Sequence, residues 1–222
     1  VDKFGNALLS LGLEKFDCVN IIGFNAPAWF FANFGAIAAG CVPAGIYTTN
    51  NPEACKYITQ HSKAKVVVVD GNKQLAKYIE IAKDLPSLKA IVMYGGEKLP
   101  ADIESQCPVP CYTWESFMDL GNENNASLLK ERTESWKPGE SCTIIYTSGT
   151  TGPPKGVMTT NDNITWTVES MLTRTPGSKM DNGDVSTYSR IVLLCMDTHT
   201  LNILLLVISY LPLSHIAAQM LD

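Results

Sequence analysis

Four consecutive valines at positions 66–69 constrain the fold of this chain more than any other part of its sequence. β-Branched residues favour strands, and a strand that is apolar on both faces must be covered on both faces, which is typical of a parallel sheet. Helical spacing at 73–84 and a second apolar run at 90–94 follow the valines. Strand, helix and strand in this order predict a βαβ unit with a right-handed crossover.

The rest of the chain repeats this alternation of helices and strands. Further helices are predicted at 1–11, 25–39, 51–61, 114–120 and after 160, and further strands at 18–24, 46–49, 111–112 and before 147. The expected helix caps are Asn25, Asn51 and Thr113, with Thr160 or Asn161 for the last helix. The predicted fold class is therefore α/β, with a mostly parallel sheet flanked by helices.

Two stretches lack the periodicity of a helix or strand. Residues 40–45 contain two glycines and a proline, which predicts a turn-rich connection. Residues 121–137 are polar and without a clear period, which predicts a surface connection.

A loop of small hydroxylated residues and glycines follows the last predicted strand. It runs Thr-Ser-Gly-Thr-Thr-Gly from Thr147 and closes with two prolines, Lys155 and Gly156. Backbone N–H groups and hydroxyls in such a loop can converge on a polyphosphate, and the lysine adds a positive charge. We expect Gly149, Gly152 and Gly156 to supply positive φ angles. The alternative is a glycine- and threonine-rich surface turn.

This loop is not a Walker A sequence. That motif requires G-x-x-x-x-G-K-[ST], whereas Pro154 stands five residues after Gly149. P-loop kinases and GTPases are therefore disfavoured.

Charge and cysteine content argue against several other classes of function. The 222 residues carry a formal net charge of −5 and a pI near 5.2, so they create no basic field for nucleic acid. The seven cysteines include no Cys-x-x-Cys pair, and two prolines lie between Cys107 and Cys111. This pattern favours reduced thiols in a cytosolic compartment over a disulfide framework or a metal site.

The loop and several other stretches resemble the adenylate-forming superfamily, which includes acyl-CoA synthetases, luciferases and peptide-synthetase adenylation domains. The stretches that carry this resemblance are residues 146–158, 21–29, 35–40, 162–166 and 210–219. The loop motif Tyr-Thr-Ser-Gly-Thr-Thr-Gly-Pro-Pro-Lys-Gly is specific for the superfamily, and the other stretches look most like the long-chain, "bubblegum" branch of the acyl-CoA synthetases. The resemblance implies that residues 1–222 are part of the large N-terminal AMP-binding domain.

The resemblance also implies a two-step reaction that uses ATP, Mg²⁺ and coenzyme A. A fatty carboxylate attacks the α-phosphate of ATP to give an acyl-adenylate and pyrophosphate, and the thiol of coenzyme A then displaces AMP. The residues that match the family's phosphate-holding loop are Thr147, Ser148, Gly149, Thr150, Thr151, Gly152 and Lys155. His215 matches the histidine beside the acyl and adenylate pocket, whereas His61 and His199 match no motif and are interpreted as surface or structural residues. No metal ligand is assigned within the chain.

The partners implied by this resemblance are a fatty acid, ATP and coenzyme A. Long-chain substrates imply a cytoplasmic location at the surface of the endoplasmic reticulum membrane, with peripheral membrane contact. The sequence itself contains no run of apolar residues long enough for a spanning helix.

The chain departs from the family pattern in two places. Residues 187–207 separate a Gly-Asp-Val-Ser stretch from the strand expected near Ile208, and we interpret them as an anomalous insertion. The family's later motifs and its C-terminal domain, which carries the adenylation lysine, are expected to be absent from this piece. Two alternatives remain open: another adenylate-forming ligase, for an aryl or amino acid, and a catalytically silent ATP-binding fragment.

Because the family's later motifs are expected to lie outside these 222 residues, we predict weak or no catalysis by them alone. The measurement is ATP–pyrophosphate exchange with and without a long-chain fatty acid. Exchange that depends on the fatty acid would contradict this prediction.

Overall fold

The computed structural model describes residues 1–96, 98–147 and 153–174, with side chains up to residue 167. Its strands are β1 Cys18–Ile22, β2 Val42–Ile46, β3 Val66–Asp70, β4 Ala90–Tyr94, β5 Cys111–Thr113, β6 Ser141–Thr147 and β7 Lys155–Thr160. Its α-helices are α1 Asp2–Ser10, α2 Pro27–Ala38, α3 Pro52–Ser62, α4 Gly71–Ile81, α5 Ile103–Gln106, α6 Trp114–Asp119, α7 Ala126–Glu134 and α8 Asn161–Arg174. Short 3-10 helices lie at Ala82–Asp84 and Glu123–Asn125. Residues 187–207 and His215 lie outside the described part of the chain.

The strands form one seven-stranded sheet in the order β5-β4-β3-β1-β2-β6-β7. Neighbouring strands are parallel throughout, except that β7 runs antiparallel to β6. The pairing of Val66 with Ala90 and of Val69 with Met93 joins β3 to β4 across α4, so the predicted βαβ unit is confirmed. The predicted α/β class with a mostly parallel sheet is confirmed as well.

The valines of β3 pack into two separate hydrophobic cores. All four have a relative exposure of 0%. Val66 and Val68 belong to the core under α1, α2, α6 and α7, whereas Val67 and Val69 belong to the core under α3, α4 and α5. Since successive side chains of a strand point to opposite faces, the valine run supports both helical layers at once.

Side-chain caps hold several helices where the sequence predicted them. The Asn51 side chain accepts a hydrogen bond from the Ala54 N–H at 2.9 Å, and the Thr113 hydroxyl accepts one from the Ser116 N–H at 3.2 Å. Thr160 and Asn163 cap each other's backbone N–H groups at the start of α8. The predicted Asn25 cap is wrong, because α2 begins after Ala26 with an extended backbone and no side-chain cap.

Two predicted connections are also wrong. The stretch 40–45 contains most of β2. Its proline and glycines favour turns, so the sequence did not predict this central strand. The Thr143 hydroxyl of β6 donates to the Pro43 carbonyl at 3.1 Å, which adds a side-chain bond between the two strands. The polar stretch 121–137 contains α7, which buries only Leu129 and therefore shows no apolar period.

Leu129 anchors α7 to α1 and provides a direct test of this packing. A Cβ placed on Gly5 of α1 would lie 2.7 Å from a Leu129 methyl group, which shows how closely the two helices approach. Leu129 is 6% exposed, and its neighbour Leu128 is 38% exposed. We expect Leu129→Ala to lower the free energy of unfolding by about 2–4 kcal/mol because it leaves a cavity. The measurement is urea denaturation of the chain.

Leu128→Ala is the matched control, since it removes the same atoms from the same helix. It should change the free energy of unfolding by less than about 0.5 kcal/mol. Equal losses of unfolding free energy in the two variants would contradict the described packing of α7 against α1.

Candidate functional site

The predicted phosphate loop begins and ends on a β-hairpin at one side of the sheet. Thr147 is the last residue of β6, Lys155 is the first residue of β7, and the two are paired across the hairpin. Both are exposed. The structure thus brings together two of the predicted site residues, and the other loop residues, at 148–152, lie outside its described part.

The hairpin stands at the edge where the parallel strands end. Strands β1 to β6 all point the same way, and open α/β sheets bind ligands at the carboxyl ends of their strands. The pairing of Gly45 with Ile145 places the segment after β2 beside the end of β6. The Lys77 ammonium fixes that segment by donating to the carbonyls of Thr48 at 2.8 Å and Asn50 at 2.7 Å.

Tyr146, the residue before Thr147, ties the end of β6 to α3. Its side chain is buried in the core on the α3 side of the sheet. The Tyr146 hydroxyl lies 2.8 Å from Nδ1 of His61, with the direction of the hydrogen bond set by the histidine tautomer. Burial raises the pKa of Tyr146 to about 12, so the phenol remains protonated at neutral pH. His61 is exposed and makes a structural contact, in agreement with its interpretation from sequence.

Gly156 has a different role from the one predicted. It lies within β7 and is not one of the described glycines with a positive φ. A Cβ at this position would lie 3.0 Å from Cγ2 of Ile144 and 3.3 Å from Cζ of Tyr146. The Tyr146 ring therefore covers the glycine backbone of the facing strand, and a side chain there would disturb it. Gly149 and Gly152 lie outside the described residues.

At a second position on this edge, between β1 and β3, side chains of the chain itself hydrogen-bond to its backbone. The direction of the strand connections reverses between β1 and β3, which is where many open sheets hold a ligand. The Asp70 carboxylate accepts a hydrogen bond from the Phe24 N–H at 3.1 Å, and the Tyr94 hydroxyl donates to the Phe24 carbonyl at 3.2 Å. Burial raises the pKa of Tyr94, and the nearby Asp70 charge raises it further, so the phenol stays a donor. The hairpin end remains the better candidate site.

The described residues do not suggest metal or thiol chemistry. Within 1–96, 98–147 and 153–174, no group of three His, Cys, Asp or Glu side chains is placed to hold a metal ion. Burial raises the pKa of Cys18 and Cys41 to about 12, which leaves their thiols protonated. Over the same described part of the chain, no helix combines the length and apolar character needed to cross a membrane.

Sequence reasoning missed two parts of this site. The run Val-Met-Thr-Thr that follows Gly156 has strand propensity and could have predicted β7. The two prolines before it favoured a loop instead. No local sequence pattern could predict the contact between His61 and Tyr146, because the two residues are separated by 85 positions.

Comparison with known proteins gives consistent results along the whole chain. The model of the AMP-binding enzyme family matches residues 1–222. Long-chain-fatty-acid–CoA ligase ACSBG2 of Gallus gallus is 44% identical over 221 residues, which cover 99% of this chain and 26% of the relative. Long-chain-fatty-acid–CoA ligase ACSBG1 of Homo sapiens is 43% identical over 220 residues, which cover 99% of this chain and 27% of the relative. The chain thus spans about a quarter of the length of these curated relatives.

Solved structures show the same fold. The anthranilate CoA ligase AuaEII in complex with anthranoyl-AMP has a TM-score of 0.61 and 25% identity over 79% of this chain and 31% of its own. The N-terminal domain of FACL13 from Mycobacterium tuberculosis has a TM-score of 0.56 and 21% identity over 99% of this chain and 44% of its own. Together with the relatives, these structures confirm the resemblance that the sequence stretches indicated.

Gly23 tests the packing between β1, β3 and β4 beside the candidate site. A Cβ at Gly23 would overlap the Tyr94 hydroxyl and would lie 2.7 Å from the Asp70 Cβ. We expect Gly23→Ala to lower the free energy of unfolding by about 1–3 kcal/mol, because both neighbours must move. Gly139→Ala is the control, since a Cβ there meets nothing within 4 Å, and it should have little effect. Equal stability of the two variants in urea denaturation would contradict the described packing.

Proposed function

Because the chain belongs to the AMP-binding enzyme family, we propose that it forms part of a long-chain fatty acid–CoA ligase and holds the phosphates of ATP. The observation that carries this proposal is the pairing of Thr147 with Lys155 at the end of the hairpin where the loop joins its two strands. The relatives named above support the substrate class, since two long-chain-fatty-acid–CoA ligases are 43–44% identical over nearly the whole chain.

The proposed reaction needs an anionic carboxylate to approach an anionic triphosphate. The carboxylate oxygen attacks the α-phosphorus of ATP, the bond from that phosphorus to the oxygen bridging to the β-phosphate breaks, and pyrophosphate leaves. The thiol of coenzyme A then attacks the acyl carbon, loses its proton, and releases AMP. Charge accumulates on the leaving pyrophosphate in the first step, so donors fixed around the β- and γ-phosphates stabilise its transition state.

The described ends of the loop have the chemistry that this role requires. Thr147 offers a hydroxyl donor and Lys155 offers an ammonium, and both are exposed at the carboxyl edge of the sheet. A lysine binds phosphate as a compact point charge with three donors. The described residues contain no group of three His, Cys, Asp or Glu side chains placed for a metal ion, so the proposal assigns no Mg²⁺ ligand among them.

A second candidate is a ligase for an aromatic acid, and a specific observation favours keeping it. The anthranilate CoA ligase is 25% identical to the chain and carries an acyl-adenylate in its structure. The higher identity of the long-chain ligases favours the fatty acid. The discriminating measurement is ATP–pyrophosphate exchange by a full-length protein that contains this chain, with hexadecanoate, anthranilate and an amino acid as substrates.

Lys155→Ala should raise the dissociation constant of the chain for Mg-ATP about tenfold, because it removes a charged phosphate donor. The measurement is isothermal titration calorimetry. Lys130→Ala is the matched control: Lys130 is an exposed lysine of α7 that pairs only with Glu134 of the same helix among the described ion pairs. It should leave ATP binding unchanged.

Equal affinity of the wild type and Lys155→Ala would contradict the proposed role of the hairpin. Loss of affinity in the Lys130→Ala control would point instead to a non-specific charge effect. Binding of Mg-ATP by the chain without exchange activity in any longer form would favour the silent ATP-binding alternative.

A further inference from the structure

We propose that His61 is a positioning residue for the phosphate site, and that it acts by holding Tyr146 at the point where β6 gives way to the loop. This inference rests on the proposed function, since it deepens the role of Thr147 and Lys155. The loop motif does not include His61, which lies on α3, 85 positions before its partner Tyr146 on β6.

Helix α3 is a fixed support for this contact. Asn51 caps its first turn, and Cys55 and Ile58 are buried against the sheet. His61 lies in its last turn, where the Tyr57 ring stacks on it with centroids 5.7 Å apart and planes 26° apart. The stacking limits the rotation of the imidazole, so its Nδ1 stays directed at β6.

Tyr146 transmits this support to both strands of the hairpin. Its ring edge meets the His61 ring at a centroid distance of 5.7 Å, and its hydroxyl lies 2.8 Å from Nδ1. Tyr146 is also paired with Gly156 on β7, where its ring covers the space that a side chain would occupy. Tyr146 directly precedes Thr147 on β6, and its ring covers Gly156, which directly follows Lys155 on β7.

The hydrogen bond to His61 is the short polar contact of this phenol. Its other described partners are the Ile58 carbonyl at 3.5 Å, which is at the limit of a hydrogen bond, and the Ser62 side chain. A buried hydroxyl that loses its partner costs free energy unless it moves toward another one. Removal of the His61 ring should therefore let Tyr146, and with it the ends of β6 and β7, shift from the position that aligns Thr147 with Lys155.

His61 acts through Tyr146 and not on the nucleotide itself. Successive side chains of β6 point to opposite faces, so Tyr146 faces α3 and Thr147 faces away from it. The imidazole stands on the Tyr146 side of the strand. This geometry assigns His61 a positioning role and separates it from the donors that would contact phosphate.

The experiment compares ATP and AMP binding by the 222-residue chain, four test variants and one control variant. His61→Ala removes the ring, Tyr146→Phe removes the hydroxyl, and the double variant removes both. His61→Asn keeps a polar atom near the place of Nδ1. Gln60→Ala is the matched control, because Gln60 also lies on α3 and its amide donates to the Asp84 carbonyl at 2.8 Å, away from the hairpin.

We expect His61→Ala and Tyr146→Phe each to raise the dissociation constant for Mg-ATP about fivefold, the effect of one lost hydrogen bond. The double variant should match the single ones, because both remove the same interaction. His61→Asn should recover most of the affinity, and Gln60→Ala should bind like the wild type. Binding of AMP should change little in any variant, since Thr147 and Lys155 are proposed to hold the β- and γ-phosphates.

Amide hydrogen exchange without nucleotide provides a second readout. His61→Ala should speed exchange at Thr147 and Lys155, because their strand ends lose support. If His61→Ala binds ATP and exchanges hydrogen as the wild type does, the inference is overturned. An equal loss of ATP and AMP affinity would also overturn it, since that result indicates general destabilisation.

Failure of the wild-type chain to bind ATP would contradict the proposed function instead. In that case the exchange data alone decide the structural part of the inference. Faster exchange at Thr147 and Lys155 in His61→Ala would support it, and unchanged exchange would reject it.

Discussion

The valine side chains of β3 alternate between two hydrophobic cores, and this double burial requires a layer of helices on each face of the sheet. Helices on both faces demand crossover connections, which keep β1 to β6 parallel. Parallel strands then end at one common edge, where the chain gathers its loops. The position of the candidate site is thus a consequence of how the central strands are buried.

The hairpin of β6 and β7 adds one antiparallel strand at one side of this parallel sheet. Its antiparallel pairing brings Thr147 next to Lys155, so the loop begins and ends at two paired residues. Tyr146 stabilises this end of the hairpin by packing against α3, hydrogen-bonding to His61 and covering Gly156. Between β1 and β3, where the strand connections change direction, Asp70 and Tyr94 hydrogen-bond to the Phe24 backbone. At the same edge, Thr147 and Lys155 remain exposed.

Most of the fold could be predicted from the sequence because the apolar periods of α1, β3, α4 and β4 are strong and local. The strand β2 could not, since Pro43 and Gly45 are turn residues by propensity and only the sheet around them makes them a strand. Helix α7 buries a single leucine, so its stability depends on contacts with α1 that leave no period in the sequence. Thr147 and Lys155, the ends of the proposed phosphate loop, were predicted from residue chemistry, whereas the proposed role of His61 depends on a tertiary contact that leaves no pattern in the sequence.

The central claim is that nucleotide binds where the loop joins β6 to β7. Amide hydrogen exchange of the wild-type chain with and without Mg-ATP tests this claim most directly. The account predicts slower exchange with Mg-ATP at Thr147, Lys155 and Gly156, and no change at Phe24 or Gly95. Protection at Phe24 and Gly95 with unchanged exchange in the hairpin would contradict the account and place the nucleotide between β1 and β3.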